Sequence, residues 1–297
     1  MTANSVNISN PIDNLHQFSW TYHQQSFRLT YETFGQGNPL LLLPAFSTVS
    51  SRSELTQIAR SLSSQYEVTV LDWLGFGDSE RPNLDYTPSL YQQLLTNFVS
   101  NCWQQPIILV AAGHASGYAL KLAQSHPHLI SKIVLIAPTW CGPLRVMGMP
   151  SNIRKALKNL VRLPLIGQFL YYLNTTPSFL RFMYRRHVYI DSGKLTADFI
   201  RQKHQITQRQ GSRFAPVAFV TGEIDPLETR TEVLSLVASL SQPILTIIPQ
   251  QSPPYSQAEM EAIAQLPKIT PVRLYGTLGI SEEFGNEVAQ EIKNFLS

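Results

Sequence analysis

The sequence predicts an α/β protein with a mostly parallel central sheet, helices on both of its faces, and one helical insertion. Three observations carry this. Short, wholly apolar runs such as Leu40-Leu41-Leu42-Leu43 and Ile107-Ile108-Leu109-Val110-Ala111-Ala112 read as strands buried on both sides. They alternate with segments whose apolar residues recur at helical spacing, the pattern of parallel strands joined by crossover helices. After Pro138, and as far as about residue 226, the alternation stops and the chain becomes helical, aromatic and basic.

Taken in order, Phe18–Tyr22 and Phe27–Thr33 alternate well enough for a hairpin turning at Gln24-Gln25. Leu40–Leu43 is the first central strand. A helix follows over Glu54–Leu62, with Leu55, Ile58, Ala59 and Leu62 on one face. Then come a strand at Val68–Leu71, a helix at Tyr91–Val99, the strand 107–112, a helix from Gly117 to Gln124 and a strand at Ile133–Ile136. Beyond the insertion the alternation resumes: helix Glu228–Leu240, strand Ile244–Ile248, helix Gln257–Leu266, strand Val272–Tyr275 and helix Glu283–Phe295. The implied organisation is a polar tail over 1–17, a core over 18–138 and 227–297, and a helical cap over 139–226.

Length and composition set the bounds. A chain of 297 residues with 43% apolar content can bury a large core. Two cysteines offer neither a zinc spacing nor a disulfide framework. Met1–Gln17 lacks the basic start and apolar stretch of a secretory signal. The longest apolar-rich piece, Leu163–Leu173, contains Pro, Gly and Gln and is too short to span a bilayer. The expected location is the cytoplasm, with peripheral attachment to a membrane as a further expectation. No metal or other cofactor is expected.

Gly113-His114-Ala115-Ser116-Gly117 follows the strand 107–112, and Asp72-Trp73-Leu74-Gly75-Phe76-Gly77-Asp78-Ser79 follows an earlier one. The first resembles the nucleophile elbow G-x-S-x-G of α/β-hydrolases, and the second resembles that family's D-x-x-G-x-G-x-S turn. Together with the element order, these motifs make residues 18–297 similar to an α/β-hydrolase fold with a helical cap, of the haloalkane dehalogenase and epoxide hydrolase-like branch.

The resemblance implies a nucleophile, an acid and a histidine, and at each position this sequence departs. Small residues are required two places before and after an elbow's nucleophile. Gly113 and Gly117 meet that requirement for Ala115, whereas Ser116 would be flanked by His114 and Tyr118. The acid position falls on Ser252, after the strand ending at Ile248, or on Asp225 in Gly222-Glu223-Ile224-Asp225-Pro226. The base position falls on Leu278 or Ser281, and no histidine occurs after His204. A serine without an adjacent base is a poor nucleophile at neutral pH. The family's His-Gly pair after the first central strand is replaced by Pro44-Ala45. The backbone N–H groups of Phe46 and Ser116 remain as the expected oxyanion donors.

Charge is distributed unevenly. Residues 139–213 hold thirteen Lys/Arg and two acids, against ten bases and eighteen acids in the rest of the chain. Residues 151–163 form a basic amphipathic helix, with Ile153, Leu157, Leu160 and Val161 on one face. Arg154, Lys155, Lys158 and Arg162 lie off that face, and Arg185 and Arg186 add to the basic surface. An anionic membrane surface is one expected partner. An apolar or lipid-like small molecule held under the cap by Phe46, Ser47, Ala115, Ser116 and Trp140 is another. Nucleic acid is not expected, because no recognised module is present. The resulting expectation is a binding or scaffold protein without ordinary serine-hydrolase chemistry. The competing reading is an enzyme of altered chemistry that takes a base such as His187 or His204 from the cap.

Overall fold

A computed structural model describes residues 14–297. Residues 1–13 of the expected tail lie outside the described residues, and its end, Leu15–Gln17, belongs to the first strand. The chain opens with β1 (Leu15–Tyr22) and β2 (Gln25–Phe34), then β3 (Asn38–Leu43), α1 (Thr56–Leu62), β4 (Tyr66–Leu71), α2 (Pro88–Cys102), β5 (Ile107–Ala112), α3 (Ala115–Ser125) and β6 (Ile130–Ile136). The cap follows as α4 (Pro143–Val146), α5 (Ser151–Arg162), α6 (Ile166–Leu173), α7 (Pro177–Met183), α8 (Ala197–Thr207) and α9 (Phe214–Val220). The core resumes with α10 (Arg230–Ser239), β7 (Ile244–Pro249), α11 (Pro254–Ala264), β8 (Ile269–Leu274), α12 (Ile280–Glu283) and α13 (Gly285–Leu296).

The eight strands form one sheet in the order β1-β2-β4-β3-β5-β6-β7-β8. The β1–β2 and β2–β4 pairs are antiparallel, and every later pair is parallel. The central strands are buried on both faces, as their apolar runs require. One face packs on α2, α3 and α10. The other packs on α1 and α13, so the core falls into two apolar clusters separated by the sheet.

Local chemistry explains where the elements begin. Thr87 caps α2 by accepting from the Leu90 N–H at 3.2 Å, and Pro88 supplies a first residue that needs no N–H partner. The helix therefore starts a turn before its periodic apolar residues. The β1–β2 turn lies at His23-Gln24, both with left-handed φ, one residue before the expected place. β8 begins three residues earlier than expected, with Pro271 inside it. A proline is tolerated there because β8 lies at the edge of the sheet.

The Asp72–Ser79 turn is built by hydrogen bonding. The buried Asp72 carboxylate accepts from the backbone N–H of Arg52 (2.6 Å) and of Asp78 (2.8 Å), and it also pairs with the Arg52 guanidinium. Ser79 Oγ donates to the Asp72 carbonyl (2.7 Å) and accepts from the Thr30 N–H (2.9 Å), tying the turn to β2. Gly77 has φ +50°, and a Cβ there would collide with the Asp72 carboxylate. The motif's aspartate, glycine and serine thus each serve the geometry of the turn. Gly77→Ala combines a left-handed backbone with that collision and should cost about 1–3 kcal/mol. The midpoint of urea unfolding should fall accordingly, and an unchanged midpoint would show that the turn can rearrange around a methyl group.

Candidate functional site

The strand–turn–helix after β5 is the natural place to look, because ligands of open α/β sheets bind beyond the carboxyl ends of the strands. The left-handed residue of this turn is Gly113, at φ +51°. His114 is the N-cap and Ala115 the first residue of α3. This differs from the expectation of a tip at Ala115 between Gly113 and Gly117. The strand pairs with β6 as far as Ala112↔Ile136, so the chain must reverse at 113, and only glycine takes that conformation without strain. The small residues two places on either side of the reversal are Ala111 and Ala115. A Cβ on Gly113 would stand 2.9 Å from the Ala45 methyl, so position 113 is walled in by the loop after β3. Gly117 is small for another reason: a Cβ there would lie 2.5 Å from Pro226.

Ser116 is committed to the turn. Its N–H donates to the Gly113 carbonyl (3.2 Å) and its Oγ to the Ala111 carbonyl (3.3 Å), and the side chain is buried. It is therefore not the second free amide that the sequence suggested. Among the described residues, the backbone N–H groups near the turn that lack a protein acceptor include those of Phe46 and His114.

The residues expected to line a ligand cavity are packed into the core. Phe46, Ala115 and Trp140 belong to the main apolar cluster. The Phe46 ring stacks on Trp73 at 4.9 Å between centroids and meets the edges of Tyr91 at 5.0 Å and Phe76 at 5.4 Å. It also meets His114 at 6.0 Å and Phe219 of the cap at 6.4 Å. The polar tips of this aromatic group are satisfied inside it. Trp73 Nε1 donates to the Pro44 carbonyl (2.9 Å), Tyr91 Oη to the Leu74 carbonyl (2.8 Å) and Tyr118 Oη to the Ile224 carbonyl (2.6 Å). Ser47 is half-buried, and its Oγ accepts from the Val49 N–H (3.2 Å).

The two acid positions are now distinct. Asp225 follows α9 rather than a strand, whereas Ser252 follows β7, the next-to-last strand. The Asp225 side chain is 1% exposed. It accepts from the Gly142 N–H (2.9 Å), pairs with Arg145 Nη1 (3.0 Å) and lies 3.2 Å from His114 Nε2. One carboxylate thereby ties the first and last segments of the cap to the turn after β5. Burial lowers the Arg145 value, but the hydrogen bond and charge of Asp225 outweigh it and leave it raised. Ser252 Oγ donates to the Pro249 carbonyl (3.1 Å) within its own loop. Leu278 packs against the second apolar cluster, and Ser281 is buried in α12. Their loop is fastened to the cap, since the Gly279 N–H donates to the Val188 carbonyl (3.2 Å) and Thr277 Oγ1 donates to the same oxygen.

A cluster that sequence reasoning missed joins the cap to both flanking loops. Lys203 of α8, with its side chain 4% exposed, lies 3.3 Å from Glu54 and 2.8 Å from Glu282. The Tyr184 and Phe199 rings stand within 5.9 Å and 5.5 Å of its ammonium. Burial pushes the Glu54 carboxyl up to about 8, opposed by Lys203 and reinforced by the Glu282 charge. Burial alone would lower Lys203, but Glu282, Tyr184 and Glu54 outweigh it and hold the ammonium well above its ordinary value. The three charged residues lie on three distant stretches of chain, so no local motif announces them.

The same pairing accounts for much of the charge asymmetry. Lys158 pairs with Asp85 and Glu223, Arg162 with Asp85, and Arg209 with Asp78. Arg154 donates to the Met149 carbonyl (3.1 Å) and to the Thr221 carbonyl. Three of the four α5 bases expected on an outward surface, Arg154, Lys158 and Arg162, are therefore engaged within the protein. Lys155, Arg185 and Arg186 are exposed.

The comparisons with known proteins agree with this architecture. The chain belongs to the alpha/beta hydrolase fold family, whose model matches residues 38–259. Among solved structures, a probable hydrolytic enzyme from Pseudomonas aeruginosa PAO1 superposes with a TM-score of 0.74 at 15% identity, over 95% of this chain and 94% of that one. A thermophilic esterase from Thermogutta terrifontis gives 0.73 at 19% identity, over 95% and 98%. A haloalkane dehalogenase from Agrobacterium tumefaciens C58 gives 0.73 at 16% identity, over 96% and 97%. At such identities the likeness is one of fold. Uncharacterized proteins of Mycobacterium bovis and Mycobacterium tuberculosis are 22% identical over 111 residues, which is 37% of this chain and 32% of theirs.

The buried Glu54 makes a pH prediction. Its folded value lies above its ordinary value of 4.5, so the folded state holds this proton more tightly than the unfolded chain does. The resulting stability is complete below the ordinary value and is lost as pH rises through about 8. The melting temperature of Glu54→Gln should therefore vary less with pH across that window than that of the wild type. Parallel curves would refute the raised value.

Proposed function

We propose that this member of the alpha/beta hydrolase fold family does not carry out serine-based hydrolysis and works as a binding protein at an anionic membrane surface. The observation that carries the first half is Gly113. The residue at the reversal after β5, where the family's elbow presents its nucleophile, has no side chain and is walled by Ala45. Supporting it, Phe46 and its aromatic neighbours occupy the ground a substrate would need. Ser116 is buried and bonded to Ala111, and the loop over 276–283 contains no histidine. A serine-directed fluorophosphonate should leave the protein unlabelled, while labelling an active esterase run in parallel. Gly113→Ser and Ala115→Ser should show no ester turnover. A covalent adduct on Ser116, found by peptide mapping, would overturn this reading.

The second half rests on the turn between α5 and α6. Leu165 is 85% exposed at the tip, with Ile166 at 56% and Phe169 at 61% beside it. Leu163, Tyr172 and Leu173 extend the exposed apolar surface. A contiguous apolar ridge of this kind marks an interaction surface. Lys155, Arg181, Arg185 and Arg186 are exposed elsewhere on the cap and supply the charge that an anionic leaflet attracts. No helix among the described residues is long and apolar enough to cross a membrane, so attachment would be at the interface. The protein should sediment with vesicles containing anionic lipid and much less with neutral ones. Leu165→Asp combined with Ile166→Asp should abolish sedimentation. Equal sedimentation of wild type and this variant would overturn the docking mode.

A further inference from the structure

A second feature of the cap has a different chemistry. Pro177, Ser178, Arg181, Phe182 and Arg185 lie along one side of α7 and the turn that follows it. Ala197, Ile200, Arg201 and His204 recur at helical spacing along α8. These residues line a cavity of about 520 Å³ between the two helices, within the size range of small-molecule sites.

Its polar side is cationic. Arg181 Nη1 donates to the Leu195 carbonyl (2.5 Å). Arg201 Nη1 lies 2.9 Å from Asp198, but both side chains are largely exposed, and such a pair holds weakly. Arg185 has no hydrogen bond or ion pair among the described residues. His204 Nε2 is buried and also lacks a partner among them. Three guanidinium groups share one small cavity with no buried carboxylate on its walls, in contrast to Lys158, Lys203 and Arg209, whose charges are met by acids.

We infer that the α7–α8 cavity is a binding site for a phosphate group carried on an apolar body. Planar guanidinium forks bind phosphate oxygens through paired charge-assisted hydrogen bonds, and a phosphate offers more oxygens to converging forks than a carboxylate does. The apolar body has a surface to lie on, because Phe182 is exposed beside Pro177, Ala197 and Ile200. A lipid headgroup and a free organic phosphate share this chemistry. The inference shares Arg181 and Arg185 with the membrane reading but does not need the α5–α6 tip on which that reading rests.

The test is calorimetric titration of the full-length protein with phenyl phosphate and with inorganic phosphate. Phenyl phosphate should bind, and more tightly than inorganic phosphate. Arg185→Ala and Arg201→Ala should each weaken it on the order of tenfold, the loss typical of one charge-assisted hydrogen bond. Arg60→Ala, on the exposed side of α1, should leave it unchanged. Circular dichroism of each variant would report whether it is folded. Absence of phenyl phosphate binding by the wild type, or equal affinity in the Arg185, Arg201 and Arg60 variants, would overturn the proposal. Vesicles with and without phosphatidic acid distinguish the sources. A dependence on Arg185 and Arg201 at the vesicle surface assigns a lipid headgroup, and its absence alongside phenyl phosphate binding assigns a free phosphate. Leu165→Asp with Ile166→Asp should spare phenyl phosphate binding, so failure of the membrane reading leaves this result unaffected.

Discussion

The cap is held to the core by opposite charge meeting at the ends of the strands. Asp225, which binds Arg145 and the Gly142 N–H within the cap, reaches His114 of the core at 3.2 Å, Glu54 and Glu282 enclose Lys203, Asp78 meets Arg209, and Asp85 meets Lys158 and Arg162. These contacts are not equal. Exposed pairs such as Arg209–Asp78 contribute little. The buried ones fix geometry, because removing one partner leaves a desolvated charge at a cost of about 3–5 kcal/mol. Asp225 and Lys203 therefore set where the cap sits. Their attachment points, the turn after β5 and the loops after β3 and β8, are the three places where the family's catalytic parts would be mounted.

That arrangement has a consequence for the interior. A substrate-binding enzyme of this architecture needs space between cap and sheet. Here the Phe46 ring and the surrounding Trp73, Tyr91, Tyr118 and Phe219 rings fill the region, with their polar tips bonded to backbone carbonyls. Burying so many aromatic side chains is strongly stabilising, since apolar burial contributes about 25 cal/mol per Å². The Ala45 methyl against Gly113 belongs to the same closure.

The sheet was legible in the sequence because its strands are short, apolar on both faces and alternate with helices of clear period. The errors at its margins have local causes, such as Pro271 inside an edge strand and the Thr87-Pro88 cap that starts α2 early. The turn after β5 was misplaced by two residues because Gly113 and Gly117 fit the expected small-residue spacing. Only the strand register shows that the chain reverses at Gly113, while Gly117 answers to Pro226. The segment's charge was legible, but its destination was not. A count of bases cannot tell a lysine facing solvent from one such as Lys203, whose partners lie on two remote loops. Asp225 looked like a choice between two acids for the same reason: its role depends on Arg145 and His114, which approach it only in three dimensions.

Once the inward-facing bases are matched, the remaining charge acquires a meaning that the bulk excess did not have. Guanidinium groups without buried acid partners face a cavity on the cap, and a row of uncovered large apolar side chains stands at the α5–α6 tip. Both features lie in the insertion rather than in the frame of sheet and crossover helices. On the reading proposed above, the protein would present its binding chemistry on the cap's outer surface, with the ion pairs and packed rings beneath holding that surface in place.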